Sequence, residues 1–145
     1  MPLLKLIGTA SLFAALCMCT SSAMADVVVV VSAKSPLTSL NESQIADIFL
    51  GRVGAFPSGD EAVPLDLPDD SPLRADFYRD CTGKSASQLR AYWSKLIFTG
   101  RAQPPREMAD AAAVKRYLQA RPSAIAYIDR KDVDASVKVV LSLRP

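Results

Sequence analysis

The valine run from Val27 to Val31 constrains the fold more than any other stretch of this 145-residue chain. Five consecutive β-branched residues restrict χ1 and disfavour a helix, while they fit the pleated surface of a strand. No polar residue interrupts the run at alternate positions. It therefore predicts a strand covered on both faces, and with it a central sheet. The segment "LNESQIADIFLGR" then reads as a helix of about three turns. Asn41 is its N-cap, Gln44 completes a capping box, Ile45, Ile48 and Phe49 form one apolar face, and Gly51 is the stop. "AVPLDL" reads as a second strand, with Pro64 near an edge or a start.

Three further helices are expected. One is capped by Ser71, carries Pro72 at its first position, places Leu73, Phe77 and Cys81 on one face and ends near Thr82-Gly83. Another runs through "SASQLRAYWSKLIFTG", with Leu89, Trp93, Leu96 and Ile97 as its apolar stripe and Gly100 as its stop. "MADAAAVKRYLQARP" brings Val114, Tyr117 and Leu118 together, and Pro122 limits it. "AIAYI" and "VKVVLSL" read as two closing strands separated by the charged turn "DRKDVD". Strands interleaved with helices predict an α/β fold, a central mixed sheet flanked by helices.

The first residues carry a different message. Lys5, an apolar run from Leu6 to about Met18, and Ala23-Met24-Ala25 match a secretory signal peptide over residues 1–25. Residues 26–145 form the expected domain, exported to the periplasm and without direct membrane insertion after cleavage. Leu16 and Met18 precede Cys17 and Cys19, where lipid attachment favours a small residue, so a lipoprotein is not expected. Cleavage leaves 145 − 25 = 120 residues with a formal charge of (17 − 1) − 15 = +1. That balance gives no reason to expect nucleic acid or an anionic membrane as partner. Cys81 then stands alone, as a small buried hydrophobe rather than a reactive thiol.

The chain has no histidine. This removes Ser-His-Asp and Cys-His nucleophile activation, histidine-ligated zinc and histidine general-base chemistry together. No S-x-x-K occurs, and nothing marks Asp69/Asp70 or Asp132/Asp134 as a hydrolase pair. A non-enzyme without cofactor or metal is expected.

Three pieces taken in order, "LTSLNESQIADIFLGRVGAF", "DDSPLRADFYRDC" and "YWSKLIFTG" with "PSAIAYI", resemble the phosphate-binding proteins of bacterial phosphate ABC transporters. The resemblance runs from about Val27 to Ile128 and is narrower for short, single-lobe members of that periplasmic binding protein superfamily. It implies a non-catalytic substrate-binding domain that holds phosphate or a similar small oxyanion. In the large relatives two lobes close around the ligand; this chain is too short for two. Ser71 matches the serine of the family's phosphate loop and Arg74 the arginine after it. Pro72, Leu73 and Leu67 replace the loop's glycine, threonine and upstream arginine. Each replacement removes a donor.

Two readings of Ser71 and Arg74 follow. In one they bind an oxyanion at a helix N-terminus. In the other Ser71 only caps the helix, Arg74 is solvated, and the chain is a ligand-free interaction module docking on a membrane sensor or transporter. Lys34, Ser35 and Thr38, in the turn after the first strand, are a second set of candidate anion contacts or ordinary loop residues.

Overall fold

The computed structural model describes residues 25–143. The expected leader, with Cys17 and Cys19, lies outside the described residues except for Ala25. The order is β1 (Val27–Ser32), α1 (Glu42–Phe49), β2 (Val63–Asp66), α2 (Pro72–Thr82), α3 (Ala86–Phe98), β3 (Arg106–Glu107), α4 (Ala111–Ala120), β4 (Ala124–Asp129) and β5 (Val137–Ser142). The sheet runs β3-β2-β4-β1-β5. β1 is antiparallel to both its neighbours, while β2 is parallel to β3 and to β4, so the sheet is mixed.

β1 sits inside the sheet as its valines require, and all five are at most 1 % exposed. α2 packs on β1 and β4, α4 lies across β4, β1 and β5, and α1 packs on α2. Pairing with β5 shifts register between Val29 and Val30, which leaves Val140 as the extra residue of a bulge. Pro64 pairs alongside Ile125 at the start of β2, before β3 joins at Leu65, so its missing N–H breaks no ladder on the β3 side.

Local signals set the helix ends. Asn41 accepts from the Gln44 N–H and the Gln44 side chain accepts from the Asn41 N–H, closing the capping box of α1. Ser85 and Gln88 do the same for α3. α2 begins at Pro72 behind Ser71 and ends on Gly83 at φ +71°.

Two expectations are corrected. β3 went unread, because two exposed residues form a strand only through pairing with β2. Ile97 does not join the α3 core stripe. Leu89 and Trp93 are buried, whereas Ile97 is 54 % exposed and Phe98 92 %. The helical period explains this, because position 97 lies about 80° around the helix from Leu89, on the flank of the buried stripe. Cys81 is partly buried, and its Sγ donates to the Glu42 carbonyl at 3.5 Å. Burial, with Glu42 and Asp80 nearby, pushes the thiol pKa up to about 12, so it stays protonated at neutral pH.

The glycines at helix ends differ in what surrounds them. Gly51 has φ +69°, and a Cβ there meets Ala102 Cβ and Trp93 Cη2, each at 3.2 Å; Gly83 has φ +71° with open space around it. Gly83→Ala is expected to lower stability by about 1–2 kcal/mol, the cost of left-handed backbone. Gly51→Ala is expected to cost about 1–3 kcal/mol more through overpacking against Trp93. Urea unfolding of the two variants measures the difference.

Candidate functional site

β2 ends on a buried acid. Asp66 is 5 % exposed, and its carboxylate is surrounded by donors. Tyr78 Oη donates to Oδ2 at 2.8 Å, the Leu67 N–H donates to Oδ1 at 2.9 Å, and Tyr127 Oη also donates to Oδ1. Arg74 Nε completes the set at 3.2 Å from Oδ1. The donors come from α2, β4 and the backbone that leaves β2. A buried carboxylate is tolerated only with such partners, since an unpaired one costs several kcal/mol, on the order of the whole stability of a small domain.

Aromatic packing holds the donors in place. Phe77 stacks on Tyr127 with ring centroids 4.0 Å apart and planes 7° apart, and Phe49 of α1 meets Phe77 edge-on at 4.8 Å. Tyr78 lies edge-on to Phe77 at 5.0 Å. The α2 face predicted as Leu73, Phe77 and Cys81 is therefore centred on Phe77 and Tyr78, with Leu73 and Cys81 only partly buried.

Arg74 is not the solvated cation expected from the capping reading. Its side chain is 12 % exposed; Nη1 pairs with Asp69 at 2.9 Å and the guanidinium lies 5.1 Å from the Tyr78 ring centre. Burial opposes the charge, but Asp66, Tyr78, Tyr127 and Asp69 outweigh it and raise the pKa above the ordinary arginine value. Ser71 caps α2 through Oγ, which accepts from the Arg74 N–H at 3.3 Å. The cleft beside Ser71, about 530 Å³, is lined by Asp70, Asp110, Asp129 and Asp132 against Lys131. Four carboxylates to one cation is a repulsive setting for an anion.

The second set of candidates stands at the opposite end of the sheet. Because β1 is antiparallel to β4 and β2 is parallel to it, the turn after β1 lies beside the start of β4, away from the end of β2. Ser35 is buried; its Oγ accepts from the Leu37 N–H at 3.2 Å and its carbonyl accepts from Lys138 Nζ. Lys34 is exposed, and its N–H donates to Ser32 Oγ at 3.1 Å. Ser35 and Thr38 line a cleft of about 510 Å³ that also holds Asp60 and Glu61. The fold thus brings Ser71 to Arg74, and Ser35 to Thr38, but not one pair to the other.

Asp66, Tyr78 and Tyr127 form the centre of the site and were not read from the sequence as functional. The one available signal was an acid inside the apolar stretch "VPLDL". Among the described residues no group of three or more histidine, cysteine, aspartate or glutamate side chains has the arrangement of a metal site.

Two predictions follow from this geometry. Arg74→Ala leaves the buried Asp66 without its charged partner and is expected to lower stability by about 3–5 kcal/mol. Ser71→Ala is expected to cost only about 1 kcal/mol as a lost cap, so the order of the two urea midpoints tests the ion pair against the cap. The second concerns alkaline pH. Burial first, then the Asp66 charge, raises the pKa of both Tyr78 and Tyr127 above the ordinary tyrosine value of 10.0. The folded state therefore keeps protons that the unfolded chain releases, and the stability this provides is fully present below pH ~10 and is lost as pH rises above it. Unfolding free energies measured between neutral pH and pH ~11 are expected to fall more steeply for the wild type than for Tyr127→Phe, which lacks one of the two groups.

No family model and no curated protein matches the chain in sequence. Solved structures do match in fold. A phosphate transport receptor of the ABC type from Vibrio cholerae superposes with a TM-score of 0.63 at 17 % identity, over 80 % of this chain and 45 % of that one. A Clostridium perfringens protein assigned as a phosphate ABC transporter substrate-binding protein, solved with bound phosphate, gives 0.62 at 22 % identity, over 80 % and 44 %. PstS from Borrelia burgdorferi gives 0.60 at 11 % identity, over 80 % and 46 %. The chain spans less than half the length of each. It has the α/β fold of these phosphate ABC transporter substrate-binding proteins over the part of them that it covers.

Proposed function

We propose that the chain is an exported, non-catalytic lobe of the phosphate-binding-protein fold, released by cleavage after Ala25, which acts as a ligand-free interaction module on an envelope sensor or transporter. The observation that carries this reading is the closure of Arg74 by Asp66 and Asp69. A free oxyanion recruiting Arg74 must displace a buried carboxylate, and breaking a buried pair costs about 3–5 kcal/mol. A charge-assisted hydrogen bond in a site open to water returns about 1.5–3 kcal/mol. The exchange is unfavourable even before the four acids beside Ser71 are counted. The absence of histidine and the protonated Cys81 support the non-catalytic part.

The second reading is phosphate binding through Ser71 and Arg74, or through Lys34, Ser35 and Thr38. It is favoured by the fold neighbours, one of which holds phosphate, and by the placement of Ser71 and Arg74 at the start of α2. Isothermal titration calorimetry of phosphate, with sulfate as control, separates the two. On the first reading the folded protein gives no saturable heat at millimolar phosphate and low ionic strength. Saturable phosphate binding establishes the second reading and overturns the first, and its loss in Arg74→Lys, which keeps the charge but not the planar fork of donors, assigns it to Arg74 rather than to the turn of Lys34, Ser35 and Thr38.

A further inference from the structure

Among the described residues, the large apolar side chains left in water are Val53, Ile97 and Phe98, at 44, 54 and 92 % exposure. Ile97 and Phe98 are the last two residues of α3, and Val53 shares a recess of about 290 Å³ with Trp93 and Arg101, beside the same helix. Two of the three therefore stand together at the end of α3, while Val53 lies beside the middle of the same helix. The charge around it is equally one-sided. From Lys84 to Arg106 the sequence carries Lys84, Arg90, Lys95, Arg101 and Arg106 and no acid, a formal +5; the whole chain is +2, so the remaining residues sum to −3. Lys95 and Arg101, which bracket the apolar pair, have no carboxylate within 4.0 Å among the described residues. Arg90 reaches only the exposed Asp69, at 3.6 Å.

We propose that the C-terminal end of α3 docks on an anionic phospholipid surface, with Phe98 and Ile97 entering the headgroup boundary and Lys95, Arg101 and Arg90 facing the lipid phosphates. This goes beyond the proposed docking on an envelope sensor or transporter, because it assigns the end of α3 to a lipid surface rather than to a protein. Protruding apolar side chains ringed by unpaired cations suit a fluid anionic interface, which supplies both an apolar layer and phosphate charge. A protein partner instead wants a packed patch with placed hydrogen-bond partners, and the apolar pair offers none. The near-neutral total charge does not oppose the proposal, because the field at a surface depends on local rather than summed charge.

Co-sedimentation of the purified protein with vesicles tests it. The protein is expected to pellet with vesicles of phosphatidylglycerol and phosphatidylcholine at low salt, to remain in solution with phosphatidylcholine alone, and to be released by added salt. Phe98→Ser is expected to weaken partitioning by about tenfold, the lower end for losing one buried aromatic side chain. Lys95→Glu combined with Arg101→Glu is expected to abolish binding. All these positions are exposed, so unchanged thermal melting confirms that the variants are folded. Wild-type protein that stays in the supernatant at low salt overturns the proposal, as does Phe98→Ser that binds as well as wild type. Sedimentation velocity without vesicles adds a further check: self-association that Phe98→Ser removes assigns the patch to a second copy of the chain and also overturns it. The phosphate titration is independent, so failure at the vesicle surface and failure of the ligand-free reading show in different experiments.

Discussion

A carboxylate placed at the end of the inner strand β2 sets conditions that much of this structure meets. Asp66 is nearly out of water, and its two oxygens accept from Leu67, Tyr78 and Tyr127 while Arg74 supplies the charge. Removing the charge from solvent costs several kcal/mol unless such partners are present. Two of them, Arg74 and Tyr78, lie on adjacent turns of α2, and the third, Tyr127, stands on β4. The helix therefore has one rotation and one height on the sheet at which the acid is satisfied. The stack of Phe77 on Tyr127 occupies the same contact, so apolar packing and polar pairing select the same geometry. Agreement between levels is what gives a sequence one fold rather than several.

The same carboxylate changes what the fold can do. An anion site at a helix N-terminus needs free donors, favourable potential and a way to exclude water. Here Ser71 Oγ is engaged as a cap, Pro72 has no N–H to offer, Arg74 is held from two sides, and carboxylates line the neighbouring cleft. The chain shares the fold of the phosphate-binding structures, and on the proposed reading its own side chains satisfy the groups that an oxyanion would need.

What could be read from the sequence follows the range of the interactions. Caps, stops and the valine strand were legible because their causes lie within a few residues: Asn41 with Gln44, Ser71 before Pro72, Gly83 at a left-handed position. The mixed sheet and its flanking helices followed from the alternation of periods. The Asp66 cluster was not legible, because its partners lie 12 and 61 residues away and a single acid in a strand reads equally well as its solvent face. The ion pair of Arg74 is not legible for the same reason, since its partner Asp66 becomes visible only once β2 and α2 are packed. Ile97 differs from the expected stripe of Leu89, Trp93, Leu96 and Ile97 because it lies on the flank of the buried face, which is narrower on a surface helix.

Charge balance shows the same distinction between sum and arrangement. A total of +2 describes a chain with no electrostatic character, yet the residues are segregated. Acids gather at the two clefts where the family resemblance suggested an anion, with Asp60 and Glu61 beside Thr38 and Asp70, Asp110, Asp129 and Asp132 beside Ser71. α3 and the loop that follows it carry Arg90, Lys95 and Arg101 and no acid. Fields near a surface fall away within about 8–10 Å at moderate salt, so a ligand at either cleft responds chiefly to the charges lining it. A partner meeting the end of α3 encounters positive charge together with exposed apolar surface. Distribution, rather than net charge, therefore carries both the proposed loss of an anion ligand at the clefts and the proposed lipid contact at α3.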